Sequence, residues 1–184
     1  MNMVHDVLDA TSADDIVVRW ASEPWEIEQA HAIRRDVFCI EQGIFVDDDR
    51  DAIDDNAQLL VAVCGADSAT PYVVGTVRIH ASAEDTGCWH GSRLAVRRDF
   101  RRQGRIGATL IMLAVSSAHA LGCRTFLATV QAQNAPLFRR LHWRTLEELV
   151  SFGREHHRMQ ADLARYPPCH TPFTGFVIHQ RRAA

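Results

Sequence analysis

None of the five cysteines (Cys39, Cys64, Cys88, Cys123, Cys169) of this 184-residue chain forms a Cys-x-x-Cys pair. So odd and widely spaced a set neither builds a disulfide framework nor supplies a zinc site, and it fits a reducing cytoplasm. The ten histidines fall in no metal-ligand spacing either, and no metal is expected. Apolar runs stop short of the roughly 20 residues that cross a bilayer. The longest, residues 106–121, is interrupted by Ser116, Ser117 and His119. The first fifteen residues lack the basic start and apolar core of a signal peptide and read as a flexible N-terminus. A formal charge of −3 argues against general nucleic-acid binding. No GxGxxG follows the first strand and no Gly-Lys-Ser/Thr occurs, which excludes a dinucleotide fold and a P-loop. What remains is a globular chain, 47% hydrophobic and 23% charged, of the size of one domain.

Against that background, six arginines (Arg93, Arg97, Arg98, Arg101, Arg102, Arg105) crowd into thirteen residues. The segment runs from an apolar strand, Leu94-Ala95-Val96, through an arginine-rich turn into a long apolar helix. A charge run alone is a solvated face. This one sits at a strand-to-helix junction, where unpaired N–H groups and the positive end of the helix dipole receive an anion. Glycine lets the backbone approach and arginine adds bidentate charge. The segment therefore reads as a phosphate cradle.

The rest of the chain divides by its periodicities. Residues 16–20 read as a strand. Apolar spacing over 24–42, with Pro24 near the start and Gly43 after the end, predicts a helix. Residues 47–55 hold six aspartates and must be a loop; its spacing resembles a calcium loop but lacks the glycine and the closing Glu. Strands follow at 57–64, 72–80 and 88–97, the first two as a hairpin, then a helix at 107–121 stopped by Gly122. A strand at 124–130, a short helix at 135–141 and a hairpin of 143–150 with 156–163 complete the order. The tail, 164–184, carries Pro167, Pro168 and Pro172 and is expected to lie over the surface. The elements imply an α+β fold with a mixed, largely antiparallel sheet and helices on both faces.

At four places this order carries a family's motifs, and the chain resembles the GNAT superfamily of N-acyltransferases. The first place is Ile33-Arg34-Arg35-Asp36-Val37-Phe38-Cys39-Ile40-Glu41-Gln42-Gly43-Ile44, similar to the first helix of one bacterial branch. The others are Val74-Gly75-Thr76-Val77-Arg78, the cradle itself, and Asn134-Ala135-Pro136-Leu137-Phe138. The resemblance covers residues 16–163 and implies a GNAT fold with a six- to seven-stranded sheet. It implies acetyl-CoA (coenzyme A) as co-substrate and a small-molecule amine as acceptor, with neither nucleic acid nor membrane as partner. Edge strands and the tail offer routes to a homodimer. For coenzyme A it implies Leu94, Ala95, Val96, Arg101, Arg102, Gln103, Gly104, Arg105, Ile106, Gly107, Ala108, Asn134 and Phe138. Ile106 stands where the motif has its second glycine, so one residue is inserted near Gly104 and the amides from Arg102 to Ala108 converge on the pyrophosphate.

The chemistry asks for a base near pH 7, because an ammonium has no lone pair. His90 lies six residues before Val96, on the same strand face by period two. The arylalkylamine N-acetyltransferases resemble the chain there. Glu41, ending the first helix, is the rival base. The family's general-acid tyrosine is replaced by Phe138, so the thiolate must leave unaided or through water. Two further readings stand beside acetyl transfer: a non-catalytic acyl-CoA-binding module, and an acyltransferase for a longer acyl chain. The acidic loop attracts a cationic amine or is a soluble turn.

Overall fold

The computed structural model describes residues 15–180; the expected flexible N-terminus falls outside them apart from Asp15, as do the last four residues of the tail. Eight strands form one sheet: β1 (Ile16–Trp20), β2 (Gln58–Cys64), β3 (Tyr72–Ala81), β4 (Cys88–Val96), β5 (Thr125–Gln131), β6 (Trp143–Ser151), β7 (Arg154–Ala161) and β8 (Phe176–Ile178). Their order across the sheet is β6-β7-β5-β4-β3-β2-β1-β8. Among the described strands only the β4–β5 pair is parallel. Helix α1 (Pro24–Arg35) covers one face and α2 (Arg105–Ala120) the other, with the short α3 (Ala135–Arg140) before β6. No helix among the described residues is long and apolar enough to cross a membrane.

The unbroken apolar run of β2 results from this layering, since a strand covered on both faces needs no polar side. Leu59, Val61 and Val63 pack with Ala30, Ile33 and Phe38 of the α1 layer. Leu60, Ala62 and Cys64 pack with Leu110, Leu113 and Ala114 of α2. Helix α1 opens on Pro24 with a Glu23/Glu26 capping box. The helix expected over 24–42 is continuous but changes character: residues Asp36–Glu41 form a π-helical turn. Its wider winding lets the Gln42 amide reach Val37 before Gly43, at φ 61°, ends the run.

Three elements depart locally from the expected pattern, the first being β7, which runs two residues earlier than the expected 156–163. Helix α2 starts at Arg105, two residues before the expected start, because Gly104 takes φ 62° and turns the chain out of a 3₁₀ turn (Arg98–Gln103). The tail does more than lie over the surface. Its residues 176–178 pair antiparallel with β1 and raise the strand count from the six or seven expected to eight. A three-residue strand after three prolines leaves little period-two signal. Gly175 makes that docking work: at φ 65°, a Cβ there would lie 1.9 Å from the Val18 carbonyl oxygen. Asp15 then accepts from His179 Nδ1 (3.0 Å) and the Gln180 amide (3.0 Å).

Candidate active site

Strands β4 and β5 pair only from Cys88–Gly91 to Thr125–Ala128, and beyond that point they part. Partners of β3 on the other side show why. Arg78 stands opposite Ser92, whereas Thr76 stands opposite Ala95, so β4 carries one extra residue there. Arg93 marks it, with φ at 57°. Such a bulge bends the strand and reverses its parity. Before it, His90 and Ser92 share the α1 face with His80 and Arg78. After it, Ala95 points to the α1 layer while Leu94 and Val96 pack with α2. His90 and Val96 therefore occupy opposite faces, contrary to the simple period-two expectation.

The splay holds a cavity of about 540 Å³, lined by His80, His90, Leu94, Asn134 and Phe138 among others. His90 stacks on His80, ring centroids 5.3 Å apart and 19° from parallel. Its Nε2 lies 3.7 Å from Cys88 Sγ. Burial, and then the charge of Arg158, lowers the His90 pKa below the usual imidazole value. His80 is lowered by burial, then by His90 and Arg78. Both rings are thus neutral at pH 7 and able to accept a proton. His80, unnoticed in the sequence, had a legible signal, since Arg78 and His80 alternate along one strand face.

Glu41 does not line the cavity. Its carboxylate takes both Arg101 terminal nitrogens, at 2.7 and 3.0 Å, and Arg101 Nε donates to the Val96 carbonyl at 2.8 Å. Glu41 is thus held on Arg101 away from the cavity, and Arg101 has a carboxylate where the sequence suggested a phosphate. The six arginines thus separate. Arg93 turns into the acidic loop, Arg97 lies over Tyr72 and Phe100, and Arg101 ties the π-turn to β4. Arg98, Arg102 and Arg105 remain exposed, Arg105 reaching the His179 carbonyl at 3.3 Å.

At the cradle, the Gly104 amide bonds back to Arg101, and Gly104 is the N-cap from which α2 begins. The amides of Arg105, Ile106 and Gly107 are the ones a helix start leaves unpaired. Convergence from Arg102 to Ala108 is narrowed to these three. Ile106 turns its side chain into the core, 1% exposed, and contributes only backbone. A Cβ on Gly104 or Gly107 would meet nothing within 4 Å, so the space before the helix start is open. That open, amide-lined end fits a pyrophosphate. Phe138, 6% exposed, packs its ring 5.0 Å from Trp143 and faces the cavity as an apolar wall. Neither of the chain's two tyrosines lines it. Tyr72 packs against Phe100, and Tyr166, its phenol pushed up to about 12 by burial, is bonded to Trp143 and Leu141.

Three aspartates of the acidic loop are spent on arginines, while Asp47, Asp48 and Asp55 stay exposed. Arg34 bonds Asp49 (2.8 Å) and Asp54 (2.6 Å), Arg78 bonds Asp54 (2.8 Å) and Asp51 (2.6 Å), and Arg93 bonds Asp51 (3.2 Å) and Asp49 (2.8 Å). Three cations and three anions close a neutral ring. Arg34 and Asp49 are fully buried in it, and Asp51 borders the cavity. The chain has no lysine, and a planar fork is what lets each cation serve two carboxylates.

Residues 15–144 match the acetyltransferase (GNAT) family, and the chain belongs to it. Members take their acyl group from acyl-CoA. No curated protein sequence matches the chain. Among solved structures it is similar to a candidate N-acetyltransferase from Lactobacillus plantarum, with TM-score 0.70 and 21% identity over 80% of this chain and 98% of that one. Escherichia coli ElaA gives 0.66 and 16% over 80% and 98%. BjaI, a CoA-dependent acyl-homoserine lactone synthase solved with SAM and isopentyl-CoA, gives 0.67 and 19% over 80% and 83%. At these identities the likeness speaks for the fold.

Proposed function

We propose that the chain transfers an acyl group from acyl-CoA to a small-molecule primary amine by direct attack. The observation that carries this is the β4–β5 splay, which runs from a neutral histidine pair to three free amides at the start of α2. His90 takes the proton of the attacking ammonium, freeing its lone pair. The C–N bond forms as the carbonyl becomes an oxyanion, which backbone amides of Leu94 and Val96 stabilise. The C–S bond then breaks. With no phenol in the cavity, coenzyme A leaves as thiolate, and the second proton of the attacking nitrogen, released to solvent as the amide forms, balances the proton that the thiolate takes from water at a thiol pKa of roughly 8.5. Five free cysteines suit a cytoplasmic setting.

Arg102 and Arg105 replaced together by alanine should weaken coenzyme-A binding while leaving the melting temperature of the free protein unchanged. Each charge-assisted bond is worth on the order of 1.5–3 kcal/mol, so titration calorimetry should show a loss of roughly 10²-fold or more. Gly107→Val, which fills the open space at the helix start, should abolish measurable binding. Unchanged affinity in both variants would remove the cradle from the site.

Acetyl is the transferred group that the sequence favours. A longer acyl chain is the second reading, supported by the apolar depth of the cavity, where Ile111, Ala114, Val115 and Phe126 belong to the core yet line it. Across a series from acetyl- to octanoyl-CoA, this reading expects affinity to rise about fourfold per methylene, at ~0.8 kcal/mol each. A preference for acetyl throughout the series would leave the first reading standing.

A further inference from the structure

A non-glycine residue at φ 57° persists only where its surroundings hold it. Arg93 is such a residue, with a long side chain and no turn to explain it. What holds it is visible: its guanidinium bonds Asp49, Asp51 and the Asp49 carbonyl (2.9 Å), and lies 4.7 Å over the Phe45 ring. Asp49, Asp51 and Asp54 are in turn held by Arg34 and Arg78.

The bulge decides which amides are free. Below it, the Ser82 amide bonds the Cys88 carbonyl (2.7 Å), so the even-numbered residues of β4 face β3. Continued without interruption, that alternation would spend the Leu94 and Val96 amides on β3. Above the bulge, the Arg97 amide bonds the Val74 carbonyl (2.8 Å), so the odd-numbered residues now face β3. Leu94 and Val96 consequently turn their amides into the splay.

We infer that the ring of Arg34, Asp49, Arg93, Asp51, Arg78 and Asp54 is a positioning device, which locks the Arg93 bulge and thereby aims the Leu94 and Val96 amides at the reacting carbonyl. This rests on the reading of the splay as the acyl-transfer site. Asp49 and Asp54 lie outside the lining of the cavity and act through the arginines they hold.

Glycine adopts φ near +60° without cost, and a β-branched residue does not. Arg93→Gly should therefore keep kcat within a few-fold of the native value although its ring contacts are gone. Arg93→Val should lose about 10²-fold in kcat, the usual cost of an oxyanion donor, with acyl-CoA affinity unchanged. Asp49→Asn should lower kcat in the native background and have little effect added to Arg93→Gly. Equal kcat for Arg93→Gly and Arg93→Val, or an Asp49→Asn loss of the same size in both backgrounds, would overturn the inference. Amide hydrogen exchange provides a readout without activity: Ala95 and Arg97 protected, Leu94 and Val96 fast, and the contrast kept in Arg93→Gly but lost in Asp49→Asn. Should Arg93→Val fail to fold, Arg93→Asn and Arg93→Ala replace the pair, because asparagine tolerates the left-handed region and alanine does not. If native protein shows the exchange pattern but binds no acyl-CoA, the acyl-transfer reading falls while the clamp stands.

Discussion

Replacing His90 by alanine should lower kcat/KM by about 10²–10⁴-fold, the contribution a general base makes. Affinity for coenzyme A should barely change, because His90 faces the α1 side while the cradle lies at the start of α2. The pH profile gives the sign. His90 works only when neutral, so activity falls as pH drops through its pKa, and burial and Arg158 set that acidic limb below the usual imidazole value. His80→Ala should move the limb upward, since His80 contributes to the buried, ring-stacked surroundings of His90. Amines of low pKa need little deprotonation and should rescue His90→Ala. Glu41→Gln should act elsewhere, by loosening Arg101 and the π-turn, and leave the limb in place. A profile unmoved in both histidine variants, with full rate, would mean that water removes the proton.

Arg34→Leu should be the most destabilising single change in the ring. It leaves two carboxylates with a lost partner, Asp49 wholly buried and Asp54 nearly so. Removing one member of a buried ion pair costs about 3–5 kcal/mol. For a chain of this size, that is a fall of roughly 6–20 °C in melting temperature. Arg50→Leu is the control, because the exposed Arg50–Asp48 pair is worth under about 1 kcal/mol. Acid should act through the same ring. Burial, the largest influence on Asp54, would raise its pKa. Bonds from Arg34 and the Asp51 amide, with the charges of Arg34 and Arg78, outweigh it and hold the carboxyl well below the usual range. A carboxyl depressed in the folded state binds fewer protons than in the unfolded chain. Its stabilisation is complete above the unfolded pKa of about 3.9 and is lost as pH falls further. Native protein should thus lose stability steeply below about pH 4, and Arg34→Leu less steeply. Parallel curves for the two proteins would detach the ring from acid unfolding.

Element types were legible where one local period dominates. Val61 and Val63 sit in a run apolar on both faces, and Leu110, Leu113 and Ala114 repeat at helical spacing, so β2 and α2 declare themselves. The turn into α2 was equally legible, because a glycine, an arginine-rich turn and a helix start are adjacent in the chain. Residues 176–178 were not, since a strand of three has no period to read and needs β1 as its template.

Long-range pairing decided the rest. Glu41 and Arg101 read as a base and a phosphate ligand, and only their contact across sixty residues joins them to each other. Six aspartates read as a solvated loop, because nothing in their sequence says that Arg34, Arg78 and Arg93 come from three separate elements to neutralise three of them. His90 was found by its place on the cradle strand, yet its face was misjudged. Alternation is a property of one strand, whereas the extra residue at Arg93 is counted only against β3. The sequence by itself determined the family, the layers and the place of the glycine-led helix start. Tertiary structure alone decided which charges are spent on one another and which amides stay free, because ion pairs and ladder bonds join residues that the chain keeps far apart.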